Sequence, residues 1–211
     1  MEAEMGKTIH LTTPLKKEDV EKLQIDDVVY LSGELYTFMY YSHYGNVLEL
    51  IRAGKPLPEH MNLDGAVAYH TGTIFKRRED GTYDFRGICA TTSSKFNATT
   101  PEIIQEAGIR AVIGKGGMDR NVLNTMQESG CVYLSVVGGC SAIYQEKVVT
   151  VGDEYWPQKS WADNMLRLVV KDFGPCYVAM DAHGNSIYEE ISRQAERRRE
   201  SMYRFLGIDE A

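Results

Sequence analysis

The chain is short of positive charge, of paired cysteines and of long apolar runs, and each shortage removes a class of function. Its 211 residues carry 23 lysines and arginines against 30 aspartates and glutamates, a net charge of −7. Such an acidic balance excludes nucleic acid as the main partner, because a phosphate backbone selects basic surfaces. The four cysteines, Cys89, Cys131, Cys140 and Cys176, are widely spaced and form no C-x-x-C pair. No metal or cluster site is therefore expected from this chain alone. Three of them lie in or beside apolar, strand-like runs, which predicts buried free thiols in a cytoplasmic protein. No apolar run approaches the roughly 20 residues of a membrane-spanning helix, so no membrane is expected as partner. Met1–Lys7 is acidic without an apolar core, which predicts no secretory signal. The chain has no clean linker, low-complexity tract or internal repeat, so 1–211 reads as one domain.

What is present is an alternation of strands and helices. Thr8–Thr12 reads as a strand, Lys16–Leu23 as a helix, and Asp27–Ser32 as a strand ending at Gly33. Ser42–Ala53 is helical: Val47, Leu48 and Ile51 share a face, and Gly54 and Pro56 stop it. Ala66–His70 is a strand. Ile74–Arg78 and Tyr83–Ile88 flank Glu79-Asp80-Gly81, whose Asp-Gly step signals a hairpin. The first half is thus expected to be antiparallel and rich in strand.

The rhythm then changes. A helix with Thr100 as N-cap runs from Pro101 to Ala107, with Gly108 as its stop. Arg110–Ile113 is a buried strand, Asp119–Ser129 a helix, Val132–Val137 a second buried strand, and Ser141–Lys147 a further helical stretch. Leu166–Lys171 and Tyr177–Asp181 read as two more strands, and Ile187–Leu206 as a terminal helix. The expected class is α/β, with a mixed sheet, an antiparallel N-terminal part and a βαβ-like second half. Ligands in such sheets sit at the carboxyl ends of the strands.

Two loops at those ends carry most of the chemistry. Thr91-Thr92-Ser93-Ser94-Lys95 offers four hydroxyls near an ammonium, suited to a carboxylate or phosphate; a solvated loop capping the next helix is the competing reading. Gly114-Lys115-Gly116-Gly117 encloses a lysine in glycines that leave backbone N–H groups bare. It lacks the spacing of a Walker A loop, and a tight turn with an exposed lysine remains the alternative. Gly138-Gly139-Cys140-Ser141 repeats the strand-to-glycine logic. His43, among Tyr40, Tyr41 and Tyr44, reads first as a packed residue. Asp181-Ala182-His183-Gly184-Asn185 reads as a turn. The arginines at 197–199, set among glutamates, read as a solvated helix face, with an interface as second choice.

Taken in order, several segments resemble the β subunit, or C-terminal domain, of the class I (iron–sulfur) fumarate hydratase and L-tartrate dehydratase family. They are Leu11-Thr12-Thr13-Pro14-Leu15, Asp27 to Gly33, Tyr36-Thr37 with His43, Tyr69-His70-Thr71-Gly72, and Thr91-Thr92-Ser93. Ile113 to Met118, Val170 to Pro175, and Asp181 to Asn185 complete the set. The resemblance implies a swivelling β/β/α domain and a hydro-lyase that hydrates fumarate to malate, or acts on a related dicarboxylate. It implies a [4Fe–4S] cluster held by a partner α subunit and not by this chain, which would be active only in that complex. By position, Thr91 matches a catalytic threonine base and Lys115 an active-site lysine. Lys95 stands where the family has a carboxylate-binding arginine, and Thr92, Gly116 and His43 are implied as further substrate contacts. The family's Arg-Asp pair is replaced by Met39-Tyr40, and its two Gly-Pro steps by Gly72-Thr73 and Cys89-Ala90. A lysine offers only a point charge where an arginine would bind in two places, and methionine offers none. A divergent, non-catalytic anion-binding or interaction subunit is the alternative. An oligomer is expected, with self-pairing of the isolated chain left open.

Overall fold

The computed structural model describes residues 6–157 and 164–207; the reading made on Met1–Met5 lies outside them. In chain order the elements are β1 (Thr8–Thr12), α1 (Lys17–Val20), β2 (Val28–Thr37), α2 (Tyr41–Arg52), β3 (Val67–Tyr69), β4 (Thr71–Arg77) and β5 (Tyr83–Ala90). There follow α3 (Thr100–Ala107), β6 (Ala111–Gly114), α4 (Arg120–Ser129), β7 (Val132–Ser135), α5 (Ser141–Gln145), β8 (Val148–Tyr155), β9 (Met165–Met180) and α6 (Ile187–Leu206).

The main sheet has the order β1-β2-β3-β6-β7-β9-β8, and β2 also bonds to β9. That extra pairing closes β2, β3, β6, β7 and β9 into a ring, with β1 and β8 outside it. β1, β2, β3, β6 and β7 run parallel, whereas β9 is antiparallel to β2, β7 and β8. The mixed α/β sheet is as expected. The expected antiparallel first half holds only for the separate β4–β5 hairpin and for the pairing of β2 with the late strand β9; β1, β2 and β3 are parallel to one another.

Period-two patterning explains the layers, because successive strand residues face opposite sides. Val67, Tyr69, Ala111, Ile113, Val132 and Leu134 join one core, which gathers residues of every strand in the ring. Their neighbours Ala68, Val112 and Tyr133 join a second core with Tyr44 and Val47 of α2, Ile103 and Ile104 of α3, and Val122 and Met126 of α4. Both faces of these short strands are thus buried, which is why they read as unbroken apolar runs. Each fully buried Val, Leu or Ile contributes about 1.5–3 kcal/mol. The helix ends are set locally: Asp119 accepts from Val122 N at 3.0 Å at the start of α4, and Gly108 and Gly130 close α3 and α4 in the left-handed conformation.

Four expectations are corrected. β2 does not stop at Gly33 but passes through it at φ 107° with register shifts against β9. The two strands expected over 166–181 are one sixteen-residue strand, β9. β8 was not foreseen, since an edge strand with exposed Val149 and Thr150 shows little apolar alternation. Of the cysteines, Cys131 and Cys176 are buried, but Cys140 is half-buried and Cys89 is exposed, because the hairpin carrying Cys89 stands apart from the main sheet. No helix among the described residues is long and apolar enough to cross a membrane.

Candidate active-site edge

The parallel strands β2, β3, β6 and β7 all deliver their loops to one edge of the ring. The chain leaves β3 at His70, runs out and back as the β4–β5 hairpin, and returns at Thr91. Thr91 N donates to the His70 carbonyl at 2.8 Å, which closes the base of the hairpin over the end of β3.

The two loops singled out in the sequence then form one unit. Lys115 N donates to the Thr91 carbonyl at 3.3 Å, and Ser93 N donates to the Lys115 carbonyl at 3.1 Å, so Thr92 and Lys115 make a parallel bridge. Glycine is required at 114 because a Cβ there would overlap Ser93 Oγ. Gly116 turns the chain at φ 71°, a conformation side chains rarely adopt, and Thr92 Cγ2 lies 3.8 Å from its Cβ position. The Lys115 side chain reaches across to the loop after β7: a Cβ on Gly138 would lie 3.2 Å from its Cδ and 3.8 Å from its Nζ.

Lys95 sits in a 3-10 helix, Ser93–Phe96, with its side chain exposed. Its carbonyl accepts a hydrogen bond from the Tyr41 hydroxyl, and the Tyr41 ring meets Phe96 edge-on at 5.7 Å. Thr91, Thr92, Lys95, Lys115 and Gly116 are therefore gathered on one edge. His43 is placed differently. It is 2 % exposed, and its Nδ1 accepts from Met39 N at 3.2 Å and lies 3.3 Å from the Thr37 carbonyl. It braces the turn between β2 and α2 instead of presenting a ring at the surface. Met39 itself reaches the hairpin base: a Cβ on Gly72 would lie 2.7 Å from its sulfur.

Below the edge lies a buried polar chain that sequence reasoning did not assemble. The Tyr133 hydroxyl donates to Ser93 Oγ at 2.9 Å, Ser93 Oγ lies 2.9 Å from His70 Nδ1, and His70 Nε2 lies 2.6 Å from the Tyr44 hydroxyl. Tyr44 in turn is 3.5 Å from Thr100 Oγ1. His70, Ser93 and Thr100 are all fully buried. Burial pushes the His70 pKa down to about 3, so the ring is neutral, and burial raises the Tyr44 and Tyr133 hydroxyls far above their ordinary range, so they stay protonated. The available signal was a histidine closing an apolar strand, at Tyr69-His70.

Chemically, the edge offers ammonium groups, threonine hydroxyls and backbone N–H groups freed by glycine. These suit a small anion such as a carboxylate.

The sequence matches the family model described as Fumarase C-terminus over residues 1–191. A Methanocaldococcus jannaschii protein provisionally named as an L(+)-tartrate dehydratase subunit beta is 38 % identical over 181 residues, 85 % of this chain and 91 % of that protein. The Shigella sonnei protein named L(+)-tartrate dehydratase subunit beta is 31 % identical over 189 residues, 89 % of this chain and 90 % of that one. A Geobacillus stearothermophilus protein provisionally named as a class I fumarate hydratase is 32 % identical over 192 residues, which are 90 % of this chain but 35 % of that protein.

Proposed function

The chain belongs to the Fumarase C-terminus family, and from that premise we propose that it is the β subunit of a hydro-lyase acting on a dicarboxylate. The reaction is the reversible hydration of fumarate to malate, or of a closely related acid, and it requires an α subunit. The observation that carries this reading is the bridge between Thr92 and Lys115, which joins a hydroxyl loop and a cationic loop at the carboxyl edge of the sheet.

In the dehydration direction a proton leaves one carbon and hydroxide leaves its neighbour with the C–O electron pair. The carbon–carbon double bond forms and water is released. Lys115 and Lys95 hold carboxylate oxygens as negative charge builds on them, which is where fixed cations lower a barrier most. Thr91 stands beside the carbon that gives up its proton, and Thr92 and the Gly116 backbone complete the carboxylate cradle. His43 acts one layer down, by holding the turn that carries Met39.

The family resemblance also implies an iron–sulfur cluster. Among the described residues no group of three or more His, Cys, Asp or Glu side chains could hold a metal ion, and burial pushes the Cys131 thiol up to about 12 and the Cys176 thiol higher still. The described residues of this chain do not fit the cluster, and no step here runs through it. The cluster is assigned to the α subunit.

Met39 favours a second reading, a subunit that binds an anion without turning it over. It places a thioether at the hairpin base, where the resemblance implies an arginine. Co-expression with a candidate α subunit under anaerobic conditions separates the two. The hydro-lyase reading predicts turnover of fumarate, mesaconate, malate or tartrate by the purified complex. A complex that binds these acids and converts none of them establishes the second reading.

A further inference from the structure

The Thr91–Lys115 unit is held from below at Ser93, by the side chains of Tyr133 and His70. His70 grips the hydroxyl loop twice. Its carbonyl accepts from Thr91 N, and its ring touches Ser93, whose own N–H is bonded to the Lys115 carbonyl. The direction of the hydrogen bonds follows from their partners. Because the Tyr133 hydroxyl donates to Ser93 Oγ, the Ser93 proton is left to donate to His70 Nδ1. His70 Nε2–H then donates to the Tyr44 oxygen, and the Tyr44 proton points to Thr100. In this tautomer every hydroxyl from Ser93 to Tyr44 both accepts and donates, as buried polar groups require. With the proton on Nδ1, Ser93 would receive two donors and its own hydrogen would find no acceptor among these groups.

We propose that His70, neutral and protonated on Nε2, is a positioning residue that fixes the spacing between Thr91 and Lys115 by way of Ser93. This rests on the reading of that edge as the hydro-lyase site. It places His70 in the machinery without contact to substrate. Displacement of a reacting group by about 1 Å can cost 10²-fold in rate, and the Ser93 link is the kind of short, buried constraint that prevents it.

The test compares His70→Leu with His70→Asn in the αβ complex. Asparagine keeps an acceptor where Nδ1 meets Ser93; leucine keeps only bulk. His70→Leu is expected to lower kcat by about 10–100-fold with a smaller change in KM, and His70→Asn to recover most of that loss. Equal losses in both variants would overturn the proposal, as would wild-type kcat in His70→Leu. Amide hydrogen exchange reads the same link without turnover. In His70→Leu the Thr91, Ser93 and Lys115 amides should exchange at least about 10-fold faster while those of β9 stay protected. If the wild-type complex converts no dicarboxylate but this selective loosening is seen, the functional reading fails and the positioning stands. Unchanged or uniformly faster exchange sinks the positioning itself. Should His70→Leu not fold, Ser93→Ala is measured in its place, since it leaves the ring and removes only the hydroxyl.

Discussion

Two regions of the molecule could pass for a binding site, and they differ in an instructive way. A groove of about 1390 Å³ runs along the start of α6, lined by Asp26, Asp119, Arg120, Asp181 and Glu189 among others. The edge carrying Thr91 and Lys115 is not part of it. By size alone the groove would be chosen. Yet most of these charged groups are already engaged. Asp119 caps α4, Asp181 accepts from His183 N and Asn185 N at 3.0 Å each, and Arg120 pairs with Glu189. At the edge, by contrast, Lys115, Thr91 and Thr92 are half-exposed above a buried, connected polar support. An open edge is what half of a site looks like when a second subunit supplies the other wall. Enclosure is therefore a poor guide here, and unengaged polar chemistry on a fixed frame is the better one.

That contrast can be broken at several points. Thr91→Val removes the hydroxyl assigned to proton transfer and should lower kcat by about 10²–10⁴-fold, the range of general acid–base assistance, measured in the αβ complex. Lys115→Ala should cost about 10²–10³-fold, the loss typical of one group that stabilises developing charge. The support layer is tested by pH. His70 stays neutral in the folded chain down to about pH 3, whereas its ordinary value is 6.5. Between those values the unfolded state binds the extra proton. The stability from burying the neutral ring is therefore complete above pH 6.5 and is lost as pH falls toward 3, by at most about 1.4 kcal/mol per pH unit. Urea midpoints should fall more steeply over that window in the wild type than in His70→Asn. Arg120→Ala, in the groove, is the smallest change. Both partners of its ion pair keep solvent access, so a shift under about 1 kcal/mol and unchanged turnover are expected. A large loss of turnover there would move the site to the groove.

The sequence made some of this plain and hid the rest for physical reasons. The loops at 91–95 and 114–117 stood out because glycines and hydroxyls punctuate apolar strands where the chain turns. Some helix limits were equally plain: α6 spans Ile187–Leu206 as expected, and α4 differs from expectation only in Asp119, which proves to be its cap, whereas α1 covers only Lys17–Val20 and Thr99, not Thr100, stands at the N-cap of α3. β9 was hidden because Gly174-Pro175 reads as a break, while the strand absorbs it with register shifts against β2. The closing of the ring was hidden too, since pairing β2 with β9 joins residues more than a hundred positions apart. The same distance problem concealed the support layer. Ser93 meets a histidine 23 residues earlier and a tyrosine 40 residues later. No local pattern records either contact. His43, read from the residues alone as packed, is a buried brace; only the substrate contact that the resemblance implied for it is missing.

The central claim is that this chain brings Thr91 and Lys115 to a site that another subunit completes. The most direct measurement is an anaerobic titration of this chain into a fixed amount of purified α subunit, following fumarate hydration. The account predicts no turnover from either protein alone, a rise that saturates at one β chain per α, and no comparable rise when the titrant is Lys115→Ala. Full turnover by the α subunit alone, or an equal rise with Lys115→Ala, would contradict it.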